Sequence, residues 1–272
     1  MKLNVVIPAA HNPEMTRRCL ELATKNATDP CTTVGVFDNG VGYGLWGTGV
    51  NVGNYEVFVQ IRNIDTDVVL VIHNDLFIWE EGYDKRILAA FGRDAELGLL
   101  GFVGSDTFDI AGGRGQDAWS NFMGWEGCAP AEHHGPRVQE FKAAANLDGC
   151  AMAFRQEALR DVCPATDDPP PHHFYDRLFC TLMMAGGWHV GFLGIQCDHL
   201  NGQTANVFDG YHDLAREWCE RNECVRTGNP DQDVYLEAEH RFLEEWRDNR
   251  RFIPLKVGQD HSIYHTHPAR GL

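Results

Sequence analysis

Asp67-Val-Val-Leu-Val-Ile-His-Asn-Asp75 is an unbroken apolar run that stops abruptly in three polar residues. A run this short and mostly β-branched reads as a strand buried on both faces of a parallel sheet. His73-Asn74-Asp75 then falls at the carboxyl end of that strand, where open α/β sheets keep their ligand crevice. His73 and Asp75, at i and i+2, point to the same side if the chain stays extended. An acid beside an imidazole is a donor pair for a divalent cation, which in turn would neutralise the phosphates of a nucleotide diphosphate. An ordinary polar turn accounts for the same three residues, so the flanking sequence must decide between them.

Towards the N-terminus, Thr33-Val-Gly-Val-Phe-Asp-Asn-Gly40 is a strand ending in an acid and a turn signal, and Leu3-Asn-Val-Val-Ile-Pro-Ala9 is a second buried strand. Between them Pro13 opens a helix whose apolar face is Met15, Cys19, Leu20, Leu22 and Ala23, ending near Asn26. Strand, helix and strand form a βαβ unit, which points to a doubly wound, mostly parallel α/β sheet. Residues 40–53 are rich in glycine but lack G-x-G-x-x-G directly after the first strand, so they read as a mobile loop across the cleft and not as a dinucleotide fingerprint. Asn51-Val-Gly-Asn54 opens a further helix, whose amides could face phosphate or simply be capped.

Towards the C-terminus the alternation continues. Residues 80–91 read as a helix, 97–104 as a buried strand, 147–154 as another strand, 156–162 as a helix and 188–195 as a late strand ending at Cys197-Asp-His-Leu200. Residues 106–132, with Trp119, Phe122 and Trp125, read as an ordered loop over the cleft. Asp167-Asp-Pro-Pro-Pro171 is a stiff connector into His172-His-Phe-Tyr-Asp176 and a helix through Ala185. Two polar helices follow between residues 213 and 249, separated by Gly228-Asn-Pro230, and residues 253–272, with His261, His265 and His267, read as an irregular tail.

Composition bounds the function. A chain of 272 residues, 43% hydrophobic and 23% charged, is an ordinary globular protein that builds its own core. A formal charge of −16 argues against broad binding to nucleic acid or anionic membrane, both of which need Lys and Arg on phosphate. Nine cysteines without CxxC pairs or a metal-ligand rhythm read as reduced thiols, which places the protein in the cytoplasm. The chain opens directly into a strand, leaving no room for a signal peptide, and no apolar run approaches the ~20 residues that cross a bilayer.

With these elements in order, the chain resembles the nucleotide-sugar glycosyltransferases of the type A fold, and within them the large inverting group called family 2. The likeness covers roughly residues 3–202 and rests on Val-Val-Ile-Pro-Ala, Val-Phe-Asp-Asn-Gly, Asn51-Val-Gly53, His-Asn-Asp75, Leu-Asp-Gly-Cys-Ala-Met-Ala-Phe-Arg, His-Phe-Tyr-Asp176 and Asp198-His199. The resemblance implies a catalytic domain over 1–205, with a nucleotide-binding half 1–105 and an acceptor half 106–205; the helices and tail read above make 206–272 a helical C-terminal extension and tail. It implies that Pro8 and Ala9 lie along base and ribose and that Asp38 holds the nucleobase, often uracil. Asn39, Asn51, Gly53 and Asn74 join the donor contacts, and Asp148-Gly149 meets the donor sugar or the acceptor. Asp75 matches the metal-binding aspartate, and His199 a histidine that some members use as a further ligand.

His73 departs from the family, since it stands where an aspartate is usual; it joins the metal or touches ribose or phosphate. One carboxylate with imidazoles suits Mn²⁺ better than Mg²⁺, which prefers oxygen ligands throughout. Asp176 matches the catalytic base, with Tyr175 and His173 beside it. Each of these has a simpler reading: Asp38 as a turn acid, Asp176 as a helix cap, His199 as a structural strand-end histidine, and Trp119, Trp125 and Trp188 as packing instead of sugar platforms. The implied partners are a nucleotide-sugar donor and a hydroxyl acceptor on a glycan, a protein or, in an enzyme of phage type, a modified nucleobase, against which the charge counts. Two alternatives stand beside this one. A nucleotidyltransferase would carry a basic glycine-rich loop after the first strand, where only His11 occurs; a binding module without catalysis is left open by His73.

Overall fold

The computed structural model describes residues 1–9, 11–108, 118–125, 136–163, 168–200 and 209–248. The histidines of the tail, His133-His134, much of the 106–132 loop and the boundary at 205 lie outside the described residues. Alternation along the strands sets the layers. Val68, Leu70 and Ile72 of β4 (Val68–Ile72) pack into one hydrophobic cluster and Val69 and Val71 into another, so an all-apolar strand is covered on both faces. The neighbouring β1 (Leu3–Ala9) divides the same way, with Leu3, Val5 and Ile7 on one side and Val6 on the other.

The central sheet has eight strands, in the order β3 (Trp46–Gly47), β2 (Thr32–Asp38), β1, β4, β10 (Ala151–Arg155), β6 (Leu97–Gly101), β11 (His189–Leu193) and β8 (Phe141–Ala143). All run parallel except β10 and β8. Helices α1 (Pro13–Asn26) and α3 (Tyr83–Arg93) cover one face. The other face carries α2 (Asn54–Ile61), α4 (Gln156–Val162), α5 (Tyr175–Ala185) and, further along, α7 (Pro230–Leu243). This is the doubly wound, mostly parallel α/β arrangement expected from the sequence. Among the described residues the helical C-terminal region opens with α6 (Asp209–Arg221), and Ala238, Phe242 and Trp246 enter the same cluster as the sheet, so that region shares the main core. Among the described residues no helix is long and apolar enough to cross a membrane.

Three expectations change. The glycine-rich segment reaches the cleft through residues 51–53 but is anchored at the sheet edge before it does so: Leu45 N donates to Val36 O at 2.8 Å and β3 pairs with β2. Gly47, at φ 89°, lies so close to the Asp38 backbone that a Cβ would collide with it. Second, the strand expected over 147–154 splits into β9 (Asn146–Leu147), paired with β7 (Gly104–Ser105), and β10, which runs against both its neighbours. Third, Cys197-Asp-His is a strand in its own right, β12 (Cys197–His199), paired antiparallel with β5 (Leu76–Ile78).

Candidate metal and donor site

The polar residues after β4 do not stay extended. Leu76 N donates to His73 O at 3.1 Å, closing a tight turn between β4 and β5, and this turn turns Asp75 back towards His73. Because β5 pairs with β12 and Leu76 stands opposite His199, that ring is delivered to the Asp75 carboxylate. His199 Nε2 lies 3.1 Å from Asp75 Oδ1, His73 Nδ1 lies 4.0 Å from the same oxygen, and the two imidazole nitrogens are 3.4 Å apart. Ligands held at about 2.0–2.2 Å from one ion sit roughly 3–4.4 Å from each other, so His73, Asp75 and His199 fit a divalent cation. Their donor atoms all fall within 4.8 Å of one another.

The electrostatics agree with that donor set. Burial, reinforced by the charge of His199, holds the His73 imidazole below its ordinary value, leaving it neutral with a lone pair to give at neutral pH. Burial would push the Asp75 carboxyl up, but the charge and hydrogen bond of His199 together with the charge of His73 outweigh it and hold it low, so it stays ionised. The far nitrogen of His73, Nε2, is 2.9 Å from the Tyr175 hydroxyl, which fixes the ring with Nδ1 facing Asp75.

The reversal of β10 brings in the next group. Running against β4, it places its amino end, Asp148-Gly149-Cys150, at the sheet edge where β4 leaves off, and His73 N donates to Cys150 O at 2.9 Å. Gly149 N donates to Asp176 Oδ2 at 3.2 Å, and Arg177 N to Asp176 Oδ1 at 2.8 Å. Gly149 must be glycine, since a Cβ would collide with the Tyr175 hydroxyl. Asp176 lies in the first turn of α5, which the chain enters through two consecutive left-handed residues, His173 (φ 60°) and Phe174 (φ 56°). Non-glycine residues there cost about 1–3 kcal/mol each and persist where surrounding contacts over-determine them.

Beside this cluster is a cleft of about 80 Å³ lined by Pro8, His11, Asn39, residues 51–54, His73, Asn74, Gly149, Tyr175 and others. Of the residues expected to contact a donor, Pro8, Asn39, Asn51, Gly53, Asn74 and Gly149 line it. Asn39, however, spends both ends of its amide on Val52: its Nδ2 donates to Val52 O at 3.0 Å and its Oδ1 accepts from Val52 N at 2.6 Å. Asn51 Nδ2 donates to Gly210 O, and Asn74 Nδ2 to His11 O and Thr16 Oγ1. Gly53 is required where the Pro171 backbone crosses it. These four shape the cleft. Ala9 is fully buried. Asp38 Oδ1 accepts from Val41 N at 3.0 Å and Gly42 N at 2.9 Å, which is the turn-forming arrangement. Trp119 and Trp188 are packed, Trp188 Nε1 donating to Asp161 Oδ2, while Trp125 is 48% exposed.

Some wall residues escaped the sequence reading. Tyr211 and Leu214 of α6 line the cleft, and Tyr211 donates to Asp231 Oδ1 at 2.6 Å, but nothing local marks a residue on a polar helix as facing a site formed far upstream. Cys150, which follows the wall residue Gly149 without lining the cleft itself, did have a signal: Asp148-x-Cys150 repeats the i, i+2 spacing of His73-x-Asp75. His172, also in the wall, accepts from Asn54 Nδ2 at 2.7 Å; burial pushes its imidazole down to about 3, so it is a neutral acceptor.

No protein-family model matches the chain, and no curated protein does. Solved structures are similar to it. One is the mannosyltransferase PcManGT from Pyrobaculum calidifontis in complex with GDP-Man and Mn²⁺, 11% identical with a TM-score of 0.49 over 90% of this chain and 71% of that one. Another is S. aureus TarS, 13% identical with a TM-score of 0.46 over 96% of this chain and 46% of its own. The chain thus spans less than half the length of TarS, and scores below 0.5 at such identities bear on neither the activity nor the site.

Proposed function

We propose that this protein is a metal-dependent glycosyltransferase that moves a sugar from a nucleotide diphosphate-sugar, a UDP-sugar by preference, to a hydroxyl acceptor with inversion at the anomeric carbon. The observation that carries the reading is the convergence of His73, Asp75 and His199, a cation-binding donor set, with the Asp176 carboxylate beside a cleft at the carboxyl edge of the sheet. In this reading His73, Asp75 and His199 hold Mn²⁺ or Mg²⁺, which when bound supplies charge stabilisation for the departing diphosphate. Pro8 flanks the base and ribose in this reading, while Ala9, fully buried, and Asp38, held in its turn, stand behind the cleft wall. Asn39, Asn51, Gly53 and Asn74 keep the donor cleft in shape.

Asp176 takes the proton of the acceptor hydroxyl as that oxygen attacks the anomeric carbon. A neutral hydroxyl is a poor nucleophile, so a carboxylate within hydrogen-bond reach lowers the barrier. Two backbone N–H groups hold both its oxygens, which orients the carboxylate. Asp148, on the same turn, faces the sugar or the acceptor. Residues 1–105 then form the donor half, 106–205 the acceptor half, and 206–272 a C-terminal extension and tail. The reaction belongs to the cytoplasm in this reading, in keeping with cysteines of which no described pair forms a disulfide.

A thermal-shift panel of UDP-, GDP- and dTDP-sugars, each with Mn²⁺ and with chelator, tests it. One nucleotide should stabilise the protein only with metal present. No response to any donor overturns the reading. Slow metal-dependent hydrolysis of the donor separates an enzyme from a binding module, which would be stabilised without releasing sugar.

A further inference from the structure

Beside the His73, Asp75 and His199 group, a second set of donors surrounds the same ring: Asp148, Cys150 and His199, whose ligand atoms also lie within 4.8 Å of one another. We propose that this set is a distinct seat for a thiophilic cation of the Zn²⁺ class, and that it competes with the Asp75 seat for His199. The first argument is chemical. A thiolate, an imidazole and a carboxylate suit zinc, whereas manganese and magnesium favour the oxygen-bearing Asp75. The second is geometric. Asp148 Oδ1 accepts from Cys150 N at 2.9 Å, and Cys150 O accepts from His73 N, so the turn that carries thiol and carboxylate is fixed to the strand end from two sides. Cys150 and His199 are buried and Asp148 is partly open, which leaves an entry path on the carboxylate side.

The competition follows from the ring. A neutral imidazole has a single lone pair to give, so once committed to Cys150 and Asp148 it is withdrawn from Asp75. Binding converts the Cys150 thiol to thiolate and releases its proton to solvent; nothing is oxidised or reduced. The existence of this seat does not require the transferase reading; only the antagonism with manganese touches it.

Cobalt(II) serves as the probe, because a thiolate ligand gives it a sulfur-to-metal charge-transfer band in the near ultraviolet. Cys219 and Cys224, whose thiols touch, are first replaced in a C219S/C224S background so that they do not contribute. Added to that protein without donor, Co²⁺ should give the band at one equivalent, Zn²⁺ should bleach it, and Cys150→Ser should abolish it while weakening Zn²⁺ by about 100-fold or more, at or beyond the upper end for losing an outer-shell partner. Asp75→Asn should keep the band yet lose Mn²⁺ binding measured by electron paramagnetic resonance. A Co²⁺ complex without the band, or a band that survives in Cys150→Ser, overturns the proposal. Should Cys150→Ser fail to fold, zinc-edge X-ray absorption on the Cys150-bearing protein decides: a sulfur neighbour at about 2.3 Å supports the seat, and a shell of nitrogen and oxygen alone refutes it. Loss of the metal-dependent donor response with the cobalt band intact would refute the transferase reading and leave this one standing.

Discussion

Asp198 and Asp75 are two buried carboxylates on either side of one histidine: Asp198 precedes His199 in the chain, and Asp75 faces its ring. Asp198 accepts from the indole N–H of Trp79 at 2.9 Å and from the backbone N–H groups of Met123, Gly124 and Trp125 at 2.9, 2.7 and 2.8 Å. Its charge is dispersed into donors that pin a loop, and it has no call on a ligand. The side chains paired with Asp75 are those of His199 and His73, imidazoles that could ligate a metal ion. A buried acid whose partners are backbone and indole N–H groups belongs to the architecture, whereas one whose partners are imidazoles, which give a lone pair once they lose the proton, suits a cation. Along the same edge Asp38, Asn39 and Asn51 are occupied by backbone groups, and Asp75, Asp148 and Asp176 gather around His73 and Tyr175, with Asp148 and Asp176 also accepting from backbone N–H groups.

Substitutions can break or sharpen this contrast. The largest expected effect is that of Asp176→Asn, which should lower turnover by about 10²–10⁴-fold while leaving donor-induced thermal stabilisation unchanged; unaltered turnover removes Asp176 from the base role. Asp75→Asn should weaken Mn²⁺ by about 100-fold or more, with folding stability close to that of the parent protein. Equal metal affinity, measured by titration calorimetry, would collapse the distinction from Asp198. Asp198→Ala should do the opposite, costing about 3 kcal/mol in denaturant unfolding because buried N–H donors lose their acceptor, yet sparing metal affinity.

Gly149→Ala sits between the two classes. Its Cβ must push the Tyr175 hydroxyl away from His73, so about 2 kcal/mol of stability and some metal affinity should fall together, the second read by the same calorimetry. The smallest effect is expected at Asp231, a structural acid like Asp198. Burial would raise its carboxyl, but hydrogen bonds from His173 and Tyr211 hold it down at about 2. A depressed carboxyl stabilises the fold fully above its unfolded value, about 3.9, and the contribution fades as pH falls through about 2. Asp231→Asn should therefore cost about 1 kcal/mol at pH 7 and flatten the acid limb of the stability curve between pH 4 and 2; a parallel curve would refute the assignment.

Much of the architecture was legible because it is local. The bounds of β1 and α1 follow from Leu3 to Ala9 and from Pro13 to Asn26, where alternation, a proline at the first helical turn and the Asn12 cap, accepting from Met15 N, all agree. The apolar run of β4 announced a strand with two covered faces. The site was legible in part. His73, Asp75, His199, Asp148, Gly149 and Asp176 were singled out, and they are adjacent in space. The route by which they meet was not visible: the expected extended His73-x-Asp75 pair is a tight turn, and the expected loop of residues 40–53 is pinned to the sheet edge by the two-residue strand Trp46–Gly47.

Periodicity along the chain decided which segments became strands and helices, and therefore that this protein is a layered α/β molecule with its polar strand ends on one rim. Only the folded arrangement decided strand direction and partnership. The reversal of β10 carries Asp148 and Cys150 to that rim, the pairing of β12 with β5 turns His199 onto Asp75, and the packing of α6 sets Tyr211 in the cleft wall. Side-chain pattern records whether a residue is buried, but a strand buried on both faces reads the same in either direction and beside any neighbour, so these juxtapositions are settled by long-range packing and hydrogen bonding.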